Sequence, residues 1–434
     1  MRVTIKKSNL MSIQKFSKIR NLVIYTLFVI VFFPTFWGYT SLSTGQLIYL
    51  FVSVFGTVPV FIGIKAYKNS LPNITSIFLL WSCTYLATLA IQPFLGREVI
   101  IKDFTDAARP VIYLYFFILG FVFGKKLNIG NTLVNVLVVC VCASCVFDII
   151  KFFEVFQPIT KLYAVFEFGY LNYIRYSGTF GFCYDFGFVL IFIYSYSILS
   201  FKFKTLIFIG GCMIMLLVGS RSVLATFAVV NIILFFTSSI PSYKKILMIP
   251  IIILFVWLIY FVGSTWEIPV ISDTIEYAQK LYDTIKGVGT DASYDVRTSQ
   301  KNKAFSRFVE SPIFGVGPTK GESPIEMQLG YYISSWGLIG FLIFLFIQFC
   351  FLDSAIKGMS GNRNEFLYKF SKSNAVWIVS SFLAGMSTPI TDQIRVFQIY
   401  FIIQGCQYAM TSKSACSSYG LLLLRNLIRK PPHN

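Results

Sequence analysis

The sequence predicts an all-α protein that crosses a membrane many times. Of its 434 residues, 56% are hydrophobic and 18% aromatic, and only 13% are charged, whereas about a quarter of the residues of a typical soluble domain are charged. Apolar stretches of about 20 residues, long enough to cross a bilayer as helices, recur between short polar breaks. Basic residues flank these stretches, so membrane topology rather than nucleic-acid binding accounts for the net charge of +18.

About twelve spans follow from this pattern. They are expected at residues 22–40, 46–64, 74–93, 111–124, 129–150, 178–200, 205–219, 222–240, 246–263, 329–352, 374–390 and 397–412. A transmembrane bundle of nine spans would then occupy residues 1–263, and three more spans would occupy residues 329–412. The remaining parts are a long polar loop, 264–328, between the ninth and tenth spans and a basic tail, 413–434.

The distribution of basic residues predicts the orientation of these spans. The first 21 residues contain six lysines and arginines and no acid, and alternate connections after them are also basic. Because lysine and arginine are enriched on the cytoplasmic side of membrane proteins, both termini are expected in the cytoplasm and the 264–328 loop outside it. The aromatic segment 151–177 is also expected outside, within the membrane interface.

The 264–328 loop is the segment with room for chemistry in water. It holds nine acidic and seven basic residues, so it is nearly neutral and the positive charge of the chain lies elsewhere. Residues 294–310 have a helical composition and stop before Pro312, which disfavours helix at the preceding residue. Helical spacing gives this segment a basic side and an apolar edge of Phe305, Phe308 and Val309. The pattern predicts a basic helix that rests on an apolar surface.

Two glycine-containing segments follow this helix. Residues 312–318, Pro-Ile-Phe-Gly-Val-Gly-Pro, predict a tight turn in which Gly315 and Gly317 allow close backbone approach. Residues 337–340, Gly-Leu-Ile-Gly, lie early in the tenth span and would let a neighbouring backbone approach in the same way.

Candidate anion-binding residues cluster around the turn. Basic side chains there would suit a phosphate or pyrophosphate at the membrane surface, helped by the amide groups of Gly315 and Gly317. These basic residues are Arg297, Lys301, Lys303, Arg307 and Lys320. The alternative is a solvated helix face that pairs with nearby acids and lipid phosphates.

Two further arginines, Arg175 and Arg221, stand at the predicted outer ends of spans. An arginine there is costly unless it meets a partner or a water-filled cavity, and the alternative is a side chain that snorkels to lipid head groups. Asp148 and Asp185 lie in or near spans, and a helix–helix hydrogen bond is expected for them. Glu326 precedes the tenth span, where a carboxylate can accept a proton from a sugar hydroxyl or stabilise a helix N-terminus.

No metal or other cofactor is expected from the sequence. The only histidine is His433, near the end of the chain, which argues against histidine-dependent catalysis. The cysteines lie mostly inside apolar stretches, and the pair Cys142 and Cys145 has no second pair of ligands to complete a metal site. They are expected to be small packing residues.

Four of these segments, taken in order, resemble the bacterial O-antigen polymerase and O-antigen ligase superfamily. They are an arginine before Ser-Gly-Thr-Phe at 177–180, Gly-Ser-Arg-Ser at 219–222, the arginine-bearing helix with the turn at 312–317, and Gly-Leu-Ile-Gly at 337–340. The resemblance implies a GT-C-like membrane glycosyltransferase of the bacterial cytoplasmic (inner) membrane. Such enzymes act outside the cytoplasm on glycans carried by undecaprenyl pyrophosphate, with a flippase and a chain-length regulator as implied partners.

By this resemblance the reaction transfers a growing glycan from undecaprenyl pyrophosphate to a hydroxyl of the next lipid-linked repeat unit. Glu326, Arg221 and Arg297 are the predicted catalytic residues, with Glu326 acting on the acceptor hydroxyl. Arg175, Arg307 and the lysines and glycines around the turn are predicted to bind the substrate. Fixed arginines would stabilise the departing pyrophosphate without a metal.

One departure from the superfamily favours a polymerase. The ligases carry a histidine at the position of Glu326, eleven residues before Gly-Leu-Ile-Gly. A second departure, Gly-Phe-Cys-Tyr-Asp at 181–185 where many relatives have an Asn-Pro-Asn-like segment, leaves the role of Asp185 open. The alternatives are a ligase that transfers the polymer to lipid A-core and a flippase or other transporter, which would usually carry charges within several spans.

Overall fold

The computed structural model of the protein describes ten stretches of the chain and three single residues between them. These are residues 7–34, 73–125, 127–150, 177–180, 182–218, 220–238, 292–318, 325–360, 364–385 and 393–412, with Val155, Ile159 and Tyr163. In these stretches the regular structure is helical and no strand occurs. This agrees with the all-α prediction.

The helices are numbered here in chain order. They are α1 (Lys7–Phe32), α2 (Ile74–Ile91, continued by a 3-10 turn, Gln92–Leu95), α3 (Ile101–Ala107), α4 (Arg109–Gly124), α5 (Leu127–Ile150), α6 (Cys183–Ser200), α7 (Lys204–Val218), α8 (Arg221–Phe236), α9 (Ala292–Glu310), α10 (Gln328–Ser360), α11 (Glu365–Ala384) and α12 (Ile394–Ser412). The helix predicted at 294–310 is α9, which begins two residues earlier and ends at the same residue.

Five helical segments in the described residues are long and apolar enough to cross a membrane. They are Ile74–Leu95, Asp103–Gly124, Ile129–Phe147, Cys183–Ser200 and Gln328–Ser360. Three shorter apolar segments accompany them, Ile19–Phe32, Lys204–Met215 and Ser222–Phe236. The described part of the chain therefore has the long apolar helices of a helical membrane protein. Of the twelve predicted spans, those at 46–64 and 246–263 lie outside the described residues.

The last two helices, α11 and α12, form the polar centre of the bundle. Asn374 and Gln404 exchange two hydrogen bonds between their side-chain amides, of 3.0 and 2.8 Å. One turn further along, Gln407 Nε2 donates to Ser371 Oγ over 2.9 Å. All four side chains are buried, and polar groups in a membrane interior need such partners. These helices are therefore less apolar than α4 or α6 because they face each other and not lipid.

Helices α4 and α12 pack with their backbones in contact. A Cβ atom added at Gly120 would lie 2.0 Å from the carbonyl oxygen of Ile402, and one at Gly124 would lie 2.3 Å from that of Cys406. From the other side, a Cβ at Gly405 would lie 1.9 Å from the oxygen of Phe117. Small residues allow such close packing between membrane helices. The glycines thus fix α12 against α4.

Two contacts join helix ends that the predicted topology, which stays a prediction, puts on the same side of the membrane. The salt bridge between Arg97 and Glu310 joins two segments predicted to lie outside. Lys372 Nζ donates to the carbonyl oxygen of Thr237 over 2.7 Å, and both residues are predicted to lie near the cytoplasmic side. A lysine at the last carbonyls of a helix is also favoured by the helix dipole.

Candidate functional site

Helix α10 is broken at Gly337, whose backbone has φ 63° and ψ −171°. A break leaves the carbonyl groups before it and the amide groups after it without helical partners. The turn after α9 supplies those partners through four backbone hydrogen bonds. They run from Val316 N to Ser334 O (3.0 Å), from Gly317 N to Ser335 O (2.9 Å), from Leu338 N to Pro312 O (2.8 Å) and from Ile339 N to Ile313 O (3.2 Å). The turn and the broken helix therefore complete each other.

Three glycines with positive φ make this junction possible. The φ angles are 76° at Gly315, 82° at Gly317 and 63° at Gly337. A Cβ at Gly315 would lie 2.4 Å from the amide nitrogen of Gly337, and one at Gly317 would overlap the side chain of Gln92. The close backbone approach predicted for the two glycine segments is present, and the segments approach each other.

Helix α2 holds the turn from the opposite side. Thr88 Oγ1 donates to the carbonyl oxygen of Phe314 over 2.7 Å, and Gln92 Nε2 donates to that of Val316 over 3.1 Å. Irregular backbone within a membrane is tolerated where it is buried in protein and its polar groups are paired. The turn meets this requirement between α2 and α10.

The backbone N–H groups of Gly315 and Gly317 donate to carbonyl groups of the protein. The Gly315 amide donates to Ser311 O over 2.8 Å, and the Gly317 amide donates to Ser335 O. Both glycines are buried. The Gly315 N–H is thus used within the turn and the Gly317 N–H at the break in α10, so neither is free for an anion in this conformation. Their role as anion ligands stays a prediction.

The basic helix α9 packs on the bundle through its polar side. Ala304 and Arg307 are buried, and Ala304 packs against Ile325 and Tyr331 at the start of α10. Phe305 and Val309 are exposed instead. The protein therefore does not cover the predicted apolar edge at these two residues, and the apolar surface on which it rests stays a prediction. The C-terminal end of α9 meets a charged surface instead.

That charged surface is the segment between α2 and α4. Arg97 Nη2 lies 2.5 Å from Glu310 Oε2 of α9. Asp106 is buried, with its Oδ1 atom 2.8 Å from Arg109 Nη2, and its Oδ2 atom accepts a hydrogen bond of 3.0 Å from Tyr331 Oη. The segment thus ties the ends of α9 and α10 to α3 and α4.

Sequence reasoning missed this segment, although its composition carried a signal. Residues 97–109 contain six charged side chains between two apolar spans, which is unusual for a short membrane loop. Asp103 among them is buried and caps α3, since its Oδ2 atom accepts a hydrogen bond of 3.0 Å from the Ile100 amide.

The other predicted site residues of the loop lie on and beside α9. Arg297 and Lys301 are exposed, Lys303 is half-buried and Arg307 is buried. Glu326 is exposed, and its backbone N–H donates to Gln300 Oε1 of α9 over 3.2 Å. The structure therefore brings Glu326 next to the arginine-bearing helix.

Three of the predicted residues are described only in part or lie outside the described chain. Arg221 is the first residue of α8, after the buried Ser220, and its side chain lies outside the described residues. Arg175 and Lys320 lie outside them altogether, so their predicted roles stay predictions.

A second polar cluster centres on Arg395 in the first turn of α12. The buried guanidinium donates to three main-chain carbonyl groups, those of Val31 (3.0 Å), Phe33 and Thr179. It also lies over the ring of Phe180, 5.8 Å from the ring centroid. Arg395 therefore joins the end of α1 to the Ser-Gly-Thr-Phe segment at 177–180.

The segment 177–180 is held from the side of α5 as well. The Thr179 amide donates to Ser144 Oγ over 2.8 Å, and Thr179 Oγ1 donates to Val31 O over 2.6 Å. Gly178 has φ 59°, and a Cβ there would lie 2.1 Å from Ser144 Oγ. The glycine is needed for this contact, so the motif has a structural role.

Tyr163 contacts the same cluster from the predicted outer segment. Its hydroxyl donates to Phe32 O over 2.6 Å. Burial raises the pKa of the Tyr163 phenol, and the positive charge of Arg395 offsets part of that rise. A phenol whose pKa is raised stays protonated and can keep donating this hydrogen bond.

Asp185 is buried in the first turn of α6 near this cluster. It interacts electrostatically with Arg395, and its Oδ1 atom has no hydrogen-bond partner among the described residues. The helix–helix hydrogen bond predicted for Asp185 is not made by this oxygen. The side chain of Asp148 lies outside the described residues.

Arg395 was not singled out from the sequence. Like Arg175 and Arg221, it lies just before the first residue of a predicted span. It precedes the twelfth predicted span by two residues, and an arginine at such a boundary needs partners. Its partners are carbonyl groups of distant segments, and these leave no trace in the sequence.

No protein-family model matches the chain, and no curated protein matches it.

Proposed function

We propose that the protein is a membrane glycosyltransferase that polymerises oligosaccharide repeat units carried by undecaprenyl pyrophosphate into O-antigen or a similar surface polysaccharide. It would act on the outer side of the bacterial cytoplasmic membrane. The observation that supports this most directly is the junction between the 312–317 turn and the break at Gly337. These are two of the motifs on which the resemblance rests, and they are in backbone contact.

The junction matters because it positions charged groups at one end of the bundle. It holds the C-terminal end of α9 against α10, with Ala304 packed near the start of α10, Arg307 buried and Glu326 beside Gln300. Arg297 and Lys301 remain exposed on the same helix. A rigid support of this kind suits catalytic groups, which must be held in place before the substrates arrive.

In the proposed reaction, an acceptor hydroxyl oxygen bonds to the anomeric carbon of the donor glycan. The bond from that carbon to the pyrophosphate oxygen breaks, and the pyrophosphate leaves with the electron pair. Glu326 takes the hydroxyl proton as general base. Arg221 and Arg297 stabilise the negative charge that develops on the leaving group. Arg175, Arg307 and Lys320 belong to this proposal as groups that bind the pyrophosphate.

A polymerisation assay with purified protein and a lipid-linked repeat unit tests these roles. We expect Arg221→Ala, Arg297→Ala and Glu326→Gln each to lower the rate by about 100-fold, the order typical of a lost catalytic group. Lys357→Ala is the matched control, because Lys357 pairs with Asp353 at the predicted cytoplasmic end of α10. Full activity of both arginine variants in normally inserted protein would refute the assignment.

A deletion strain separates the polymerase from its two alternatives. Loss of a polymerase leaves surface glycan with a single repeat unit. Loss of a flippase leaves no surface glycan, and loss of a ligase leaves long polymer on the lipid carrier and none on the acceptor. Either of the last two phenotypes would overturn the proposed function.

A further inference from the structure

The outward edge of α9 near the turn is apolar and largely exposed. Phe305 is 68% exposed, Val309 58% and Ile313, just past the helix, 57%. Phe305 and Val309 are four residues apart, so they share one side of the helix. Ala304 and Arg307, on the side that packs on α10, are buried. Large side chains exposed together in this way indicate a surface that meets something other than water.

This edge continues the outward strip of a membrane-spanning helix. The hydrogen bonds between Leu338 N and Pro312 O and between Ile339 N and Ile313 O put Ile313 beside the first third of α10. From there, α10 exposes a row of apolar side chains along its length, Leu338, Leu342, Phe346 and Phe349. The segment Gln328–Ser360 is one of the five candidate spans, so this row is the part that faces lipid.

The depth of the junction also favours lipid. Gly337 lies nine residues into α10, about 14 Å along its axis at 1.5 Å per residue. The turn that fills the break is at the same level and has its backbone groups paired, as a membrane interior requires. A side chain such as Ile313, which points out of the protein at this level, meets hydrocarbon.

The exposed basic residues of α9, Arg297 and Lys301, stand farther from the junction than Phe305 and Val309. Arg297 and Lys301 are exposed and precede Phe305 by eight and four residues, about 12 and 6 Å along the helix. Phosphate groups of lipids lie beyond the hydrocarbon edge, and interfacial helices combine apolar residues in the hydrocarbon with bases at the phosphates. The order of residues along α9 matches this arrangement.

We propose that Phe305, Val309 and Ile313 insert into the outer leaflet of the bilayer and that Arg297 and Lys301 bind the phosphates of anionic phospholipids in the same leaflet. Helix α9 then lies in the membrane interface and is not surrounded by water. This inference rests on exposure and on the junction with α10, and it holds whether or not the protein is a polymerase.

Photocrosslinking of the full chain in lipid nanodiscs tests the apolar half of the proposal. Benzoylphenylalanine replaces Phe305, Val309 or, as a control, Ser306, which is exposed on another side of the same helix. We expect phospholipid adducts at positions 305 and 309 in at least five-fold higher yield than at 306. Equal yields overturn the proposal, and so does a crosslink between two protein chains, which would mean that a second copy covers the edge.

Native mass spectrometry of lipids retained by the protein tests the basic half. In nanodiscs of mixed phosphatidylglycerol and phosphatidylcholine, we expect the wild-type chain to retain phosphatidylglycerol preferentially. The double variant Arg297→Gln and Lys301→Gln should lose at least half of that preference, whereas Lys357→Gln should keep it. An unchanged preference in the double variant would overturn this half.

In the crosslinking experiment, Phe305 is an exposed aromatic residue, so its replacement by the aromatic benzoylphenylalanine should leave folding intact. Size-exclusion chromatography checks this.

Discussion

Replacing Gly337 by alanine should destabilise the outer end of the bundle, because the residue lies where only glycine fits. Its φ of 63° and ψ of −171° belong to a region that costs other residues about 1–3 kcal/mol. The new Cβ would also lie 2.4 Å from Gly315 N and from Ile313 O, which forces the turn away. Loss of two of the four junction hydrogen bonds adds about 1–3 kcal/mol, at 0.5–1.5 kcal/mol each. We expect a total loss of about 4 kcal/mol, the middle of the combined range of about 2–6 kcal/mol.

Two other glycines separate the contributions. Gly96 has φ 71° and ψ 23°, the left-handed helical region, with open space around it, so Gly96→Ala reports the cost of a positive φ without a clash, about 1 kcal/mol. Gly210 in α7 has open space and an ordinary helical conformation, so Gly210→Ala should be neutral or stabilising by up to about 1 kcal/mol. The assay is the free energy of unfolding in mixed micelles, with limited proteolysis of the 311–318 turn as a local probe. If Gly337→Ala matches Gly210→Ala in both measurements, the junction does not hold the turn.

Two further predictions concern the buried polar groups. Arg395→Gln should cost about 3 kcal/mol of unfolding free energy, since it leaves the main-chain carbonyl groups of Val31, Phe33 and Thr179 without their donor. Arg395→Lys should restore less than half of this loss, because one ammonium group cannot reach the same three carbonyls. A full rescue by lysine would contradict the geometry. Asn374→Leu should lower the unfolding free energy by about 1–3 kcal/mol, because the buried side-chain amide of Gln404 loses its hydrogen-bond partner. Adding Gln404→Leu should recover most of that loss. A double variant as unstable as the sum of the single variants would show that the amide pair is not coupled.

The all-helical class of the described residues was predictable from hydropathy, but the way the helices face one another was not. Helix α9 shows why. Its apolar edge was expected to rest on an apolar surface, which in a soluble protein is the protein core, because water lies outside. Next to a membrane the outside is also apolar, so Phe305 and Val309 can be exposed while Arg307 is buried.

The candidate site was predictable only in pieces. The sequence marked Gly315, Gly317 and Gly337 as positions of close approach, because glycine has few other uses there. That the two segments approach each other depends on the break in α10, and no local pattern announces a break that another segment repairs. Arg395 is the opposite case, since its type and position were informative but its partners are main-chain carbonyls from other parts of the chain.

The bonds of Arg395 also set an order of events during synthesis. The Arg395 guanidinium in α12 donates a hydrogen bond to the main-chain carbonyl of Phe33, which lies 362 residues earlier in the chain and is therefore synthesised long before it. Until α12 is inserted, the end of α1 and the 177–180 segment must keep their carbonyl groups hydrated or borrow other donors. The early helices can therefore enter the membrane one by one, yet their outer ends close only when α12 arrives. A chain stalled before α12 should accordingly be a preferred substrate of membrane quality-control proteases.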